Sequence, residues 1–390
     1  MPKAVICGAG ITGLALAHQL DTTGWDVVVL EKAPAPRPQG YMIDFFGPGY
    51  DAAEAMGVLP RLRELSYTVQ EAAYVDAHGR RRAGLDYARF SRSVGGRVLS
   101  IMRPDLEQAL REHLSADVEL RFGTSPTAVE DTGDTVHVTL TDGTVERADL
   151  LVGADGVHST VRRLAFGPEH QYLRHLGFHT AAFTFEDPEL HARLGPRFTL
   201  TDTVNRQLGC YGLRDGRVAA FAVHRTRDTA LPDDPRAALR RAYGTLGWAV
   251  PRALDRCPPA SDLYYDHVAQ TLVPQWTRGR ITLLGDAAYA VSLLAGQGAS
   301  LGVAGATRLA HELAATPDLP TALARFEHTW RPTITHRQHV ARRTARWFLP
   351  ASRPQLLLRR LFLHATALPA VANRLTKSIA GQPVSGVTPH

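Results

Sequence analysis

The sequence predicts an α/β fold, a Rossmann-like nucleotide domain carrying an inserted antiparallel sheet and followed by C-terminal helices. Three observations predict it. The stretch Ala4 to Glu31 reads as strand, glycine turn, helix and second strand. Two later apolar strands, Leu150-Leu151-Val152 and Ile281-Thr282-Leu283-Leu284, each run into a glycine and acid element, Asp155-Gly156 and Gly285-Asp286, and then into a helix. Between them, from residue 172 to about 270, short alternating strands and an Asp215-Gly216 hairpin turn replace any glycine-rich phosphate loop.

Ala4 to Cys7 is an apolar run of the kind buried in a parallel sheet. Gly8, Gly10 and Gly13 follow. In a βαβ unit the first glycine makes the tight turn, the second lets a pyrophosphate approach the backbone and the third lets helix pack on strand. The helix through Leu14, Leu16 and Leu20 stops near Gly24, and Val27 to Leu30 form the next strand, ended by Glu31 where an acid accepts hydrogen bonds from an adenosine ribose. The register of all these parts makes dinucleotide binding the expectation, with Ile11, Thr12 and Lys32 completing the candidate contacts.

The Pro-rich stretch Ala33 to Pro38 and the loop Gly40 to Asp44 are expected to be irregular, the latter a cofactor or substrate wall or a plain connection. Ala52 to Leu65 reads as a helix pair broken at Gly57 and Pro60. Val98 to Met102 is strand-like, and Arg103-Pro104-Asp105 opens a helix with proline in its first turn, lined on one face by Leu106, Leu110 and Leu114. Arg103 thus sits at a helix N-terminus, which favours a phosphate. Expected strands in the inserted region are Thr180–Phe185, 197–201, 208–213 and 217–225, with helices between Pro235 and Leu254. After Asp286, the loop Leu294 to Gly298 precedes a helix from Ala299 to Leu313 that is rich in small residues and opens a second anion-friendly N-terminus.

The 390 residues suffice for two domains, and 44% hydrophobic with 21% charged residues is ordinary for a globular chain. Cys7, Cys210 and Cys257 have no metal spacing, and their odd number argues for a reducing, cytoplasmic setting without disulfides. The first strand starts too early for a signal peptide, and no run of about 18 apolar residues suggests a membrane span. The net charge of +6 rests on arginine, lysine occurring at 3, 32 and 377 alone, and no basic patch interleaves with aromatics, so no nucleic acid partner is expected. No paired carboxylates, zinc spacing or nucleophile elbow offers acid-base or metal chemistry, so no catalytic side chain and no metal ligand is assigned. His179, His224, Tyr211 and Tyr265 could line a substrate cavity, but each is expected rather to be a sheet or surface residue, and none carries an assigned role. Toward the C-terminus, Leu323, Phe326 and Trp330 mark one helix face, Arg342, Arg343 and Arg346 precede Trp347-Phe348, and Leu356 to Leu363 flank Arg359-Arg360. Such a tail is expected to cap the nucleotide domain and close a cavity rather than to hold a membrane.

In this order and spacing, the GxGxxG at Gly8, Gly10 and Gly13, the Arg103 helix start, Asp155-Gly156 with Ser159 and Arg162, and Gly285-Asp286 with Gly296-Gln297-Gly298 resemble the FAD-dependent group A monooxygenases, the para-hydroxybenzoate hydroxylase fold, and among them the tetracycline-inactivating type. The resemblance spans residues 1 to about 345. It implies a FAD-binding domain from 1–70, 98–170 and 271–345, a substrate-binding domain from 71–97 and 171–270, and a C-terminal helical segment from 346–390. Glu31 would bind the adenosine ribose, Arg103 the ribityl and phosphate region, Asp286 a ribityl or pyrophosphate group, and Asp155 the FAD and a transient NADPH site. The amides of Gly296, Gln297, Gly298 and Ala299 would face the flavin pyrimidine edge. The implied activity is reduction of FAD by NADPH or NADH, oxygen addition at flavin C4a from O2, and hydroxylation of an aromatic or polyketide-like small molecule by a monomer or homodimer. A competing reading is a FAD-containing cyclase or auxiliary protein that transfers no oxygen. Two positions depart from the commonest pattern: Tyr289 stands for His, and Leu293 for a proline, which leaves the loop softer and adds an N–H.

Overall fold

The computed structural model describes residues 1–365, with the backbone alone at 344–347. Its centre is a six-stranded sheet in the order Thr277–Arg278, Ile281–Leu283, Leu150–Gly153, Lys3–Cys7, Asp26–Glu31, Glu119–Phe122. All neighbours are parallel except the Thr277–Arg278 edge. Its middle strands are buried from Ala4 to Cys7 and from Leu150 to Gly153, because the helix Ile11–Thr22 and a three-stranded antiparallel sheet, Pro126–Asp131, Val136–Leu140 and Val145–Ala148, pack on them and share one core. The ladder aligns Cys7 with Gly153 and Gly153 with Leu283, so three adjacent strands end level with one another. Gly8, Asp155 and Asp286, one, two and three residues past these ends, are therefore delivered to one edge of the sheet, where α/β proteins bind ligands.

The helix Ile11–Thr22 packs against the helix Gly298–Ala315, and small residues set how closely. A Cβ on Gly302 would collide with Thr12 Oγ1, and one on Gly285 would stand 2.6 Å from the same atom. Trp330, Phe326 and Leu323 of the long helix Leu319–Phe348 are buried against this pair, as their spacing predicts.

A seven-stranded sheet runs Tyr264–Thr271, Leu173–Glu186, Arg217–Arg225, Arg206–Gly212, Arg197–Thr201, Glu71–Val75, Arg81–Asp86. It is antiparallel apart from the pairing of Glu71–Val75 with Arg197–Thr201. The strand expected at Thr180–Phe185 is the second half of a 14-residue strand, Leu173–Glu186, that pairs on both sides. Two local expectations need correction. Met42–Phe46 is a strand paired with Val98–Met102, where a loop is expected; its apolar, β-prone residues outweigh the glycine and proline around it. Pro60 does not break a helix but sits in the first turn of Leu59–Glu64, where its missing N–H is harmless, and the break falls at Gly57 with φ +77°.

The C-terminal helix Arg353–Ala365 is tied to the seven-stranded sheet by Asp202, which takes Arg359 at 2.7 Å and Arg360 at 2.5 Å. The remainder of the expected C-terminal segment, 366–390, and the side chains of Arg346 and Trp347 lie outside the described residues. Among the described residues, no helix is long and apolar enough to cross a membrane, and no group of three His, Cys, Asp or Glu residues could hold a metal ion.

Candidate functional site

Along the strand ends runs an open cleft of about 1750 Å³, its mouth included, lined from Glu31 and Lys32 at one end to Gly298 and Ala299 at the other. Gly8 turns the chain into it with φ +107°, and a Cβ there would stand 2.5 Å from the Ala154 carbonyl oxygen. The turn is closed by the Gly8 amide donating to Leu30 O at 2.7 Å and the Ala154 amide to Cys7 O at 2.8 Å. Gly10 starts the helix Ile11–Thr22, which has no side-chain cap and no acid in its first turn. Its free N–H groups open on the cleft beside Gly10, Ile11 and Thr12. Gly13 stands behind them, where a Cβ would collide with the Gly8 carbonyl.

Glu31 accepts the amides of Ala9 at 3.0 Å and Ala33 at 2.9 Å, one on each oxygen. The carboxylate therefore braces the glycine loop and still has lone pairs for a ribose. Arg103 is paired with Glu107 at 2.9 Å, which raises its pKa further and holds the guanidinium over Gly10, where a Cβ would lie 3.7 Å from Nη2. Asp155 caps the helix Thr160–Ala165 through Oδ2, which accepts from Thr160 at 2.7 Å and Val161 at 3.1 Å, while Oδ1 has no hydrogen-bond partner among the described residues. Ser159 and Arg162 do not reach the cleft. Ser159 N-caps that helix, and the fully buried Arg162 ties the loop to Ala287 O at 2.8 Å and Val157 O at 2.6 Å.

Asp286 lines the cleft and is exposed to it, with the would-be Cβ of Gly298 and the Arg103 guanidinium as its neighbours. The protein atoms lining the cleft around it push its pKa up, and Arg103 pulls it back. Gly298 is 3.6 Å from Asp286 Oδ1 at its would-be Cβ, and the helix it begins is also uncapped and free of acid in its first turn. Of the four loop residues expected here, Gly296, Gly298 and Ala299 line the cleft, and Gln297 does not. The loop ahead of them is strained at Ser292, a non-glycine with φ +145°. Leu293 follows as the first residue of a short 3₁₀ turn and lines the cleft, and its amide donates to no group among the described residues. Leu293→Pro should therefore leave the melting temperature nearly unchanged, within about 1 kcal/mol of stability, which a thermal denaturation series would check. Tyr289 turns away from the cleft onto Trp276, with ring centroids 4.7 Å apart.

Three aromatic rings, Tyr41, Phe221 and Tyr264, meet at 5.6 Å between centroids beside Arg103 and Asp286, and burial pushes the Tyr41 phenol up to about 12. Tyr264, Asp266 and His267 of one strand line the same cleft. Of these, Tyr41 belongs to the segment Gly40 to Asp44 that the sequence offers as a cofactor or substrate wall, whereas Phe221, Tyr264, Asp266 and His267 carry no motif. His179, His224, Tyr211 and Tyr265 are residues of the seven-stranded sheet and none lines the cleft: His179 meets Tyr265 at 3.2 Å, His224 meets Tyr243 at 3.1 Å, and Tyr211 accepts the Met42 amide at 2.7 Å.

His158 follows Asp155-Gly156 and lies between two carboxylates, with Nε2 3.0 Å from Asp266 Oδ1 and Nδ1 3.1 Å from Glu169. Both nitrogens must donate, so the ring is an imidazolium. The Asp266 bond, opposed by burial, pushes its pKa up to about 9. An unfolded histidine titrates near 6.5. The bridge's stabilisation is thus complete below about pH 6.5 and is lost as pH rises through about 9. The melting temperature should accordingly fall more between pH 7 and 9.5 in the wild type than in His158→Gln.

The FAD binding domain family matches residues 2–318. An uncharacterized protein of Mycobacterium tuberculosis (strain ATCC 25618 / H37Rv) is 36% identical over 330 residues, covering 82% of this chain and 86% of its own. A flavin-dependent monooxygenase of Legionella longbeachae serogroup 1 (strain NSW150) is 32% identical over 318 residues, 80% of each. Among solved structures, the tetracycline destructase Tet(55) is similar with a TM-score of 0.82 and 27% identity over 99% of both chains.

Proposed function

Because the chain belongs to the FAD-dependent group A monooxygenase family, we propose that it uses NADPH or NADH and O2 to oxygenate an aromatic or polycyclic small molecule. FAD, when bound, supplies the redox chemistry and the activation of oxygen. The observation that carries the reading is one cleft bounded by two uncapped helix N-termini, Ile11–Thr22 and Gly298–Ala315, with the constricted Gly8 turn at one and Asp286 at the other. Such a cleft suits a long ligand with an anionic middle and a second charge-accepting end.

In this reading the amides after Gly8 and Gly10, helped by Arg103, hold the pyrophosphate, and Glu31 and Lys32 flank the adenosine. Asp155 and Asp286 take polar groups of the ligand's central chain. The amides of Gly298 and Ala299 stabilise negative charge that develops on the ring system, at no reorganisation cost because the helix fixes them. Tyr41, Phe221 and Tyr264 form an aromatic wall against which a planar substrate stacks.

The test is the visible spectrum of purified protein, recorded before and after anaerobic NADPH or NADH with aromatic polyketides present. A yellow protein whose flavin band bleaches, recovers with oxygen and yields an oxygenated product is expected. A yellow protein that neither nicotinamide reduces would favour a cyclase or auxiliary role, and a colourless protein that FAD cannot reconstitute would sink the cofactor assignment.

A further inference from the structure

Asp266 stands apart from the acids supplied by the nucleotide-type loops, since it lies on the edge strand Tyr264–Thr271 of the seven-stranded sheet. Its side chain is 11% exposed, and the protein donors that reach it converge on one oxygen. Oδ1 accepts from His158 Nε2 at 3.0 Å and from the His267 amide at 2.7 Å. Oδ2 accepts from no group among the described residues and is left to the cleft that Asp266 lines.

Behind this carboxylate is a chain of charged groups. Arg162 Nη2 lies 3.4 Å from Glu169 Oε2, Glu169 holds His158 Nδ1 at 3.1 Å, and His158 holds Asp266. The imidazolium is thereby fixed at both nitrogens, and the free Asp266 oxygen is fixed in turn. In front of it, desolvation by the surrounding protein raises the pKa values of Asp286 and Tyr41, Arg103 lowers them, and the charge of Asp266 adds to the rise. These groups line one cleft, the same one on which the two helix N-termini open. An acceptor oxygen held there is complementary to a donor, not to a phosphate.

We propose that Asp266 is a cofactor contact, an acceptor carboxylate aimed by the His158 bridge that takes a hydroxyl or N–H of the bound flavin nucleotide. His158 is then a positioning residue acting through Asp266. The inference rests on the flavin-binding reading above. It also makes flavin affinity depend on pH, through the His158 imidazolium that holds Asp266. The groups facing His158 are Glu169 and Asp266, with Arg162 behind Glu169 and with His175 and His267 on the two paired strands beside Asp266.

The experiment measures the FAD dissociation constant of the full chain from flavin fluorescence on dilution, at pH 6 to 9.5, for the wild type, Asp266→Asn, His158→Gln and Glu169→Gln. Asp266→Asn turns a donor amide toward the cleft and should weaken FAD binding by roughly tenfold or more at pH 7. Wild-type affinity should fall as pH rises toward 9.5, His158→Gln should be weaker and flat across the range, and Glu169→Gln should begin its fall at lower pH. Wild-type affinity in Asp266→Asn, or an unchanged pH profile in His158→Gln, would overturn the proposal, as would a pH-independent loss shared by all three variants, which marks a structural role. A wild-type protein that holds no FAD at any pH would instead sink the flavin reading itself.

Discussion

Gly8→Ala is expected to abolish flavin retention and to destabilise the fold by about 2–5 kcal/mol. Two costs combine. At φ +107° an alanine is strained, and its Cβ would stand 2.5 Å from the Ala154 carbonyl oxygen and 2.8 Å from Asp155 Cα, both backbone atoms. Neither neighbour can yield cheaply, because Ala154 is pinned by its amide's 2.8 Å bond to Cys7 O. The chain would relieve the clash by moving the Gly8 turn away from the Asp155 loop, and the N–H groups of the helix after Gly10 would move with it. Losing one or two amide bonds to a charged phosphate corresponds to a fall in FAD affinity on the order of a hundredfold. Fluorescence titration with FAD and thermal denaturation of the same preparation separate the two effects. Near-wild-type affinity in a stably folded Gly8→Ala would show that this turn does not carry the pyrophosphate.

That turn was legible because everything defining it is local. Strand, glycines, helix and terminal acid lie within Ala4 to Glu31, and the elements around Asp155 and Asp286 are equally compact. The parallel sheet that brings them together follows from the apolar strands that precede them. The wall opposite was not legible, since it depends on pairing between distant strands. Whether Tyr264, Asp266 and His267 or their neighbours face the cleft is decided by how Tyr264–Thr271 pairs with Leu173–Glu186, and that register shifts between His175 and His179. No local pattern encodes such a shift. Hence His179 and Tyr265, plausible cavity residues by type, bond to each other, while Asp266 lines the cleft without a motif to mark it. The strand Met42–Phe46 was missed for a related reason. Its partner is Val98–Met102, over 50 residues later, and the prolines before it resemble those of an ordinary loop.

The largest stability loss expected outside the cleft follows from Asp202→Ala. Asp202 ends the strand Arg197–Thr201 of the seven-stranded sheet with its side chain 1% exposed, and both carboxylate oxygens are taken by arginines of the C-terminal helix. Arg359 is itself buried, lies over the Tyr74 ring at 4.5 Å and donates to Phe348 O at 3.1 Å, so it cannot swing out to water without undoing the helix contact. Removing the carboxylate leaves that guanidinium without its counter-charge, and breaking a buried pair from one side costs about 3–5 kcal/mol. Arg360, partly exposed, adds little to that sum. The helix should detach before the rest of the molecule melts, because Leu356 and Arg359 are its only buried side chains. Limited proteolysis would then cut within Arg353–Ala365 far faster than in the wild type, and Asp202→Ala paired with Arg359→Leu should recover much of the loss by removing the stranded charge. The consequence extends to the cleft. Leu349, whose carbonyl accepts from Arg225 at 2.8 Å, packs with Phe221 and Leu294, one from the aromatic wall and the other from the loop ahead of Gly298. A helix released at Asp202 therefore loosens the connection that closes this apolar corner, and binding of a planar ligand should weaken together with the melting temperature.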